Sequence, residues 1–164
     1  MERAFLIASV FLIMADSFSN LTYHFIWSTK NRTPWISEDL QPRLWEYLAG
    51  IAHQKSMNPL CIGGAFDHEH GLVGLPTTMT VSQAVQLLKG PSSKWLKETF
   101  KQEMGGFQWQ DGYGAFTVSQ SQVEDVFRYV KNQKEHHRLK TFEEEFVGFL
   151  ERNGIVWKKE YLLG

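Results

Sequence analysis

Short runs of apolar period two alternate along the chain with longer stretches of period near 3.6, which predicts mixed strands and helices without repeats or linkers. In residues 21–28, Leu21, Tyr23, Phe25 and Trp27 alternate with Thr22, His24 and Ser28, the signature of a half-buried strand, which Lys30-Asn31-Arg32-Thr33-Pro34 ends. Behind Ser37-Glu38-Asp39, a plausible helix start, Leu40, Leu44, Tyr47, Leu48 and Ile51 recur at helical spacing and predict a helix of about four turns. Residues 59–66 and 71–75 read as a strand hairpin, with Gly63-Gly64 marking a bulge or a close backbone approach and His68 to His70 near the start of the second strand. Thr80 and Gln83 form a capping box for a helix whose inner face carries Val81, Val85 and Leu88. Gly90-Pro91 is expected to interrupt that helix, with Ser92 capping a second piece through Trp95, Leu96 and Phe100.

Aromatic strands are expected at residues 107–109 and 113–118, separated by the turn signal Asp111-Gly112. Ser119 or Ser121 should cap a helix running to about residue 135. A further helix runs from Thr141 to Asn153-Gly154, a strong stop signal, and the tail 155–163 reads as extended and amphipathic. Antiparallel strands with helices inserted between them make an α+β fold, an antiparallel sheet flanked by helices, the expected architecture.

At 164 residues and 43% hydrophobic, the chain has the size and core of one domain, expected over residues 14–164. Residues 1–13 read as an upstream extension or a disordered N-terminal segment, with Met14 as the natural start. The apolar run of residues 4–15 imitates a signal core but is shorter than the roughly 20 residues that span a bilayer, so no membrane partner is expected. Cys61, the single cysteine, sits in the apolar run Leu60-Cys61-Ile62 and can form no intramolecular disulfide, which suits a reducing cytoplasm. The net charge of -1 does not advertise nucleic acid, but residues 128–140 carry five Lys or Arg against one acid, with His136 and His137 beside them. That run permits a phosphate partner and equally fits a solvated helix face.

The chemistry concentrates in two polar islands. Alternation on a strand puts His68 and His70 on one face, where two imidazoles can converge on one ion, although a histidine pair alone is more often a polar strand end with no metal. Glu69 invites a rival reading as general base of an unrelated metal hydrolase, but the same alternation carries its carboxylate to the opposite face. Tyr129 and Gln133 are one helical turn apart, so a phenol and an amide oxygen share a face. With an unperturbed pKa near 10, a phenol needs a cation nearby to act as a nucleophile at neutral pH. Lys30, Arg32, Lys89, Lys94 and Arg128 are the candidate phosphate contacts; Trp95 and Trp109 either stack bases or fill the core, and the core is the favoured place.

Five segments in order carry a family resemblance: Tyr23-His24-Phe25-Ile26-Trp27-Ser28-Thr29-Lys30-Asn31-Arg32; Ile62-Gly63-Gly64 before Asp67-His68-Glu69-His70; Lys89-Gly90-Pro91-Ser92-Ser93-Lys94-Trp95-Leu96; Trp109-Gln110-Asp111-Gly112-Tyr113-Gly114-Ala115-Phe116; and Tyr129-Val130-Lys131-Asn132-Gln133 leading to Glu135-His136-His137. Together they resemble the single-tyrosine HUH transposases of simple bacterial insertion sequences, including those associated with REP elements. The resemblance implies a ferredoxin-like or RRM-like fold and a homodimer acting on single-stranded DNA with hairpins near the element ends. It implies His68, His70 and Gln133 as ligands of Mg²⁺ or Mn²⁺. Tyr129 would be the nucleophile, leaving a 5′-phosphotyrosine link and a free 3′-hydroxyl, with no nucleotide cofactor needed. In such dimers the tyrosine helix can serve the partner subunit's metal site.

Two positions depart from the family pattern. Glu69 stands where a bulky apolar residue is usual, and Gly71 where a large aliphatic is usual. A buried carboxylate facing the far side of the sheet costs several kcal/mol or raises its pKa, and a glycine weakens the strand by roughly 0.5 to 1 kcal/mol. The alternative function is therefore a catalytically impaired or domesticated hairpin DNA-binding protein of the same fold.

Overall fold

The computed structural model describes residues 18–136 and 141–162. The segment 1–13, the start at Met14, the basic-run residues His137, Arg138 and Lys140, and Leu163 lie outside the described residues. The elements are β1 (Thr22–Ser28), α1 (Gln41–Gln54), β2 (Asn58–Gly64), β3 (His68–Gly74), α2 (Val81–Thr99), the single turn α3 (Lys101–Met104), β4 (Gly114–Thr117), α4 (Val123–Lys131), the single turn α5 (Gln133–His136) and α6 (Phe142–Arg152). The sheet order is β2-β3-β1-β4 with every neighbouring pair antiparallel. The first six long elements thus run βαββαβ, the ferredoxin-like α+β arrangement that the sequence predicts.

The two faces of this sheet are set by the pleat. In register, Phe25 lies opposite Gly71 and Trp27 opposite Glu69, while His24 lies opposite Leu72, Ile26 opposite His70 and Ser28 opposite His68. Phe25, Trp27 and Val73 bury against Leu44, Leu48 and Ala52 of α1 and Ala84, Val85, Leu88 and Leu96 of α2, forming the main core. On the other face Ile26 and Phe116 meet Phe142 and Leu150 of α6 and Leu162 in a smaller cluster. The strand expected to be half-buried is therefore covered on both sides, and its polar positions His24 and Ser28 are as buried as Phe25.

The first helix starts at Gln41 rather than at Ser37. Residues 37–40 form a turn in which Ser37 O accepts from Leu40 N and Gln41 N, and Pro42 supplies the preset φ of a first helical turn. Pro91 does not interrupt α2, which is continuous from Val81 to Thr99. Buried Ala84, Leu88, Ser92 and Leu96 recur every four residues across the proline, and that packing overrides its cost of about 3 kcal/mol. Ser92 makes no cap: its hydroxyl donates to Leu88 O (2.6 Å) and accepts from Trp109 Nε1 (3.0 Å).

The aromatic runs near residues 107–118 form no hairpin with each other. Both lie along β1, one as β4 and one through the bridge Trp109 to Thr29, with residues 110–113 looping between them. The bulge in the β2–β3 pairing falls between Pro59 and Cys61, whereas Gly63 serves close approach. A Cβ there would lie 2.5 Å from Val130 O, so α4 seats directly on the β2 backbone. The helix expected to run to about residue 135 is opened by a 3₁₀ turn (Gln120–Gln122) without a side-chain cap and breaks at Asn132. The tail ends in a 3₁₀ turn, Lys159–Tyr161, rather than running extended, because Leu162 tucks into the smaller core. As expected, α6 begins after Thr141 and stops at Asn153-Gly154, with Gly154 at φ +65°; its start is a capping box of Thr141 and Glu144.

Candidate metal and nucleophile site

β3 presents His68 and His70 side by side to the face that α4, α5 and α6 cover, with ring centroids 5.2 Å apart. Both are fully buried. Each ring has its Nδ1 engaged by a neighbour. Asp67 Oδ1 lies 2.7 Å from His68 Nδ1, and His24 Nε2 lies 2.8 Å from His70 Nδ1. These contacts orient the rings, as supporting partners do for metal-binding histidines, with His68 meeting Gln133 and His70 Nε2 facing Glu145 of α6. Asp67 is held in turn by Arg32, through Nε (3.0 Å) and Nη2 (2.5 Å). Arg32 reaches this place from a left-handed backbone at φ 56°, uncommon for a residue with a side chain.

Gln133 comes from the turn after the break in the tyrosine helix. Its side chain is buried, hydrogen-bonds His68 and donates from Nε2 to Glu145 Oε1 at 3.3 Å. Glu145, in the first turn of α6, puts Oε2 3.9 Å from His70 Nε2. One ligand atom each from His68, His70 and Glu145 lie within 4.8 Å of one another. Two imidazoles, a carboxylate and an amide are a donor set that fits a divalent cation, and their convergence in a buried pocket is what such a site requires.

Tyr129 completes the cluster from α4. Its ring stands edge-on to His70 (5.8 Å), His24 (6.0 Å) and Phe149 (5.5 Å), with the hydroxyl buried. The structure therefore brings Tyr129, His68, His70 and Gln133 together within one chain.

The electrostatics follow from burial. Desolvation lowers His24 to about 3, assisted by the Arg152 charge, so this imidazole is neutral. Burial also lowers His68, opposed by the Asp67 carboxylate. Glu145 is raised to about 7 by burial, against the pull of Arg32 and Arg152. Asp67 is raised by burial but lowered more by His68 and Arg32, and ends below its ordinary value. Glu69 lies on the opposite face, fully buried, where Trp45 Nε1 donates to its Oε2 at 2.9 Å. Its pKa is well above the ordinary range because desolvation outweighs that hydrogen bond. It takes no part in the cluster.

The basic candidates are scattered. Arg32 joins the site through Asp67 and lies over the Phe142 ring (3.9 Å). Lys30 pairs with Asp111 at 3.3 Å. Lys89 Nζ is taken up by the carbonyls of Gln110 (2.5 Å), Asp111 (3.2 Å) and Gly112 (3.0 Å), and so holds the loop between the two aromatic runs. Lys94 is exposed beside Glu98, and Arg128 is exposed beside Glu124 and Asp125. A cleft of about 520 Å³ lined by Lys89, Ser93, Lys97 and Tyr113 contains none of the four cluster residues. Both tryptophans pack inward, Trp95 stacked on Tyr47 at 4.4 Å and Trp109 against Trp27 and Phe107.

Sequence reasoning missed Glu145 and His24. Glu145 stands in a run of three acids, Glu143-Glu144-Glu145, yet it lies in the helical row of Phe142, Phe146 and Phe149, which was the available signal. His24 occupies an in-register neighbour position to the His70 strand, which only the pairing reveals.

The sequence profile described as "Transposase IS200 like" matches residues 17–133. The chain is 26% identical over 117 residues to ISDra2 transposase TnpA of Deinococcus radiodurans, covering 69% of this chain and 84% of the relative. It is 27% identical over 124 residues to the transposase for insertion sequence element IS200 of Salmonella typhimurium, covering 73% and 81%. Among solved structures it is similar to a Deinococcus radiodurans R1 crystal structure described as that of a transposase, with TM-score 0.59, 27% identity and coverage of 71% and 93%. The fold is also that of a REP-associated tyrosine transposase bound to a REP hairpin, with TM-score 0.53, 14% identity and coverage of 80% and 79%. Among the described residues, no helix is long and apolar enough to cross a membrane.

Proposed function

The chain belongs to the IS200-like transposase family, and we propose that it cleaves and rejoins single-stranded DNA at hairpin-flanked ends with Tyr129 as nucleophile. The observation that carries this is the placement of the Tyr129 ring 5.8 Å from that of His70, in the cluster that also holds His68 and Gln133. In the step proposed, the Tyr129 oxygen forms a bond to phosphorus and the bond from phosphorus to the 3′-oxygen breaks. The phenol proton leaves, and the 3′-oxygen ends as a hydroxyl. The phosphate stays joined to Tyr129 and to the 5′-side of the DNA, so reversal with a new 3′-hydroxyl needs no energy source.

His68, His70 and Gln133, with Glu145 beside them, would hold Mg²⁺ or Mn²⁺, which supplies Lewis-acid stabilisation of charge on the phosphate. Asp67 and His24 fix the two imidazole orientations, and the close seat of α4 on Gly63 fixes the height of Tyr129. Arg32 neutralises Asp67, the carboxylate that holds the His68 ring. The working form in this reading is a cytoplasmic homodimer. A second reading, a hairpin-binding protein that does not cut, is favoured by one observation: the buried Glu69 carboxylate sits between the two histidines on the strand that positions them.

The test mixes the protein and its Tyr129→Phe variant with labelled hairpin DNA from the flanks of its own gene, with and without Mn²⁺, and follows label on denatured protein. A Mn²⁺-dependent adduct absent from the variant is expected. Binding without an adduct in either protein sinks the cutting reading in favour of the second.

A further inference from the structure

The helix α6 covers the site more completely than a scaffold needs. Its Phe142 ring lies 4.6 Å from that of His68, and its Phe149 ring lies 5.0 Å from that of His24 and 5.5 Å from that of Tyr129. With α6 seated, His68 and His70 are fully buried and Gln133 is 1% exposed. A phosphodiester carrying nucleotides on both sides has no route to atoms so enclosed. The same helix points a carboxylate at the centre of what it covers, from an inner face otherwise made of Phe142, Phe146, Phe149 and Leu150. An apolar lid needs no glutamate there, whereas a cation between two imidazoles needs oxygen donors.

We propose that Glu145 is a ligand of the same cation as His68 and His70, so that the bound cation clasps α6 over the site and DNA gains access only when that clasp opens. The inference rests on the cation reading given under Proposed function. It adds that one carboxylate links metal occupancy to access. The geometry suits a clasp, because α6 is held to the sheet by the smaller of the two apolar clusters and by the Arg32 contact with Phe142. Its capping box at Thr141 and Glu144 also satisfies its first turn without help from the sheet, so the helix keeps its form when it moves.

The experiment titrates Mn²⁺ into the full-length protein and reads free Mn²⁺ by electron paramagnetic resonance, for wild type, Glu145→Gln and His68→Ala. Amide hydrogen exchange of α6 in wild type is followed with and without Mn²⁺. In Tyr129→Phe, which cannot be consumed by cleavage, it is followed with Mn²⁺ before and after adding a poly-dT oligonucleotide. Both Glu145→Gln and His68→Ala are expected to weaken Mn²⁺ binding by about tenfold or more. Mn²⁺ should slow α6 exchange in wild type, and the oligonucleotide should speed it again.

If Glu145→Gln binds Mn²⁺ as wild type does while His68→Ala does not, Glu145 is no ligand and the clasp falls with the cation reading intact. If His68→Ala also binds normally, both fall. If α6 exchange ignores Mn²⁺ or the oligonucleotide, the clasp falls even where the variants fold poorly, because that measurement needs no change at Glu145.

Discussion

On the α1/α2 face of the sheet the side chains buried together are nearly all apolar, and among the described residues Glu69 is the one fully buried carboxylate there. On the α4/α6 face of the same strands His24, His68, His70, Gln133 and Glu145 are buried together, each touching another member of the set. The strands are shared, so backbone pairing cannot explain the difference. It arises from alternation alone: one step along β3 moves from His68 to Glu69 and from a polar network to the core. A buried polar group is tolerable where its neighbours satisfy it, and costly where they do not. One face therefore concentrates stability and the other concentrates chemistry.

The sharpest way to separate the faces is to damage the apolar one. Leu48→Ala, in α1 at a fully buried position of the main core, is expected to cost about 2–5 kcal/mol of unfolding free energy. Mn²⁺ affinity measured well below the melting temperature should stay at the wild-type level. A coupled loss of Mn²⁺ binding would show that the faces are not independent.

The two faces were also unequally legible in the sequence. Leu44, Leu48 and Ile51, or Val85 and Leu88, repeat at the period of the structure they form, so the helices of the apolar face could be read directly. His68, His70, Tyr129 and Gln133 were read from types and spacing, with the family resemblance, and the fold brings them together. Glu145 was not, because a carboxylate in a row of three looks like a solvated face until the phenylalanines around it are counted as its own row. Tertiary packing also overrode local punctuation at Pro91, where four buried positions on one helical stripe keep α2 continuous. The loop at 110–113 misled because Asp111-Gly112 is a genuine turn signal, used here to bulge one strand line rather than to reverse it.

Gly63→Ala attacks the other face where it meets the sheet. The new Cβ would sit 2.5 Å from Val130 O, a backbone atom, so α4 has to lift. A displacement on the order of 1 Å of the reacting group costs about 100-fold, and the rate of adduct formation with hairpin DNA should fall by that order. Hairpin affinity is expected to change far less. An unchanged adduct rate would show that the seat of α4 does not set the height of Tyr129.

Glu69→Gln tests the exception to the comparison. The folded-state pKa of Glu69 is raised above its ordinary value of 4.5. The unfolded chain therefore releases this proton at lower pH than the folded one does, and wild-type stability should fall as pH rises above about 4.5. Glu145 adds a slope of the same sign up to about 7, while His24 makes stability fall as pH drops below its ordinary 6.5. The quantity to read is thus the difference between wild type and variant in denaturant melts from pH 5 to pH 8. Glutamine keeps an acceptor for Trp45 Nε1 and removes the slope, so the variant should gain stability relative to wild type progressively as pH rises across that range. A difference that stays flat with pH would mean that Glu69 is ionised in place.

Gly71→Ala gives the smallest effect and the finest test of how full the apolar face is. Gly71 is buried beside Glu69 on that face, and a Cβ there would meet Ile62 Cδ1 at 3.4 Å, Val73 Cγ2 at 3.5 Å and Trp27 Cη2 at 3.9 Å. These are ordinary contacts with side-chain ends, unlike those at Gly64 on the neighbouring strand, opposite Glu69, where a Cβ would run into the backbone carbonyl of His68. Nothing at Gly71 requires glycine, so the strand bears its backbone entropy without a packing return. Alanine should raise unfolding free energy by about 0.5–1 kcal/mol, with Mn²⁺ affinity unchanged, since the added methyl points away from both imidazoles. If stability rose and Mn²⁺ affinity rose with it, the looseness of β3 would be reaching across the pleat, and the histidine pair would be only as well placed as the core behind it.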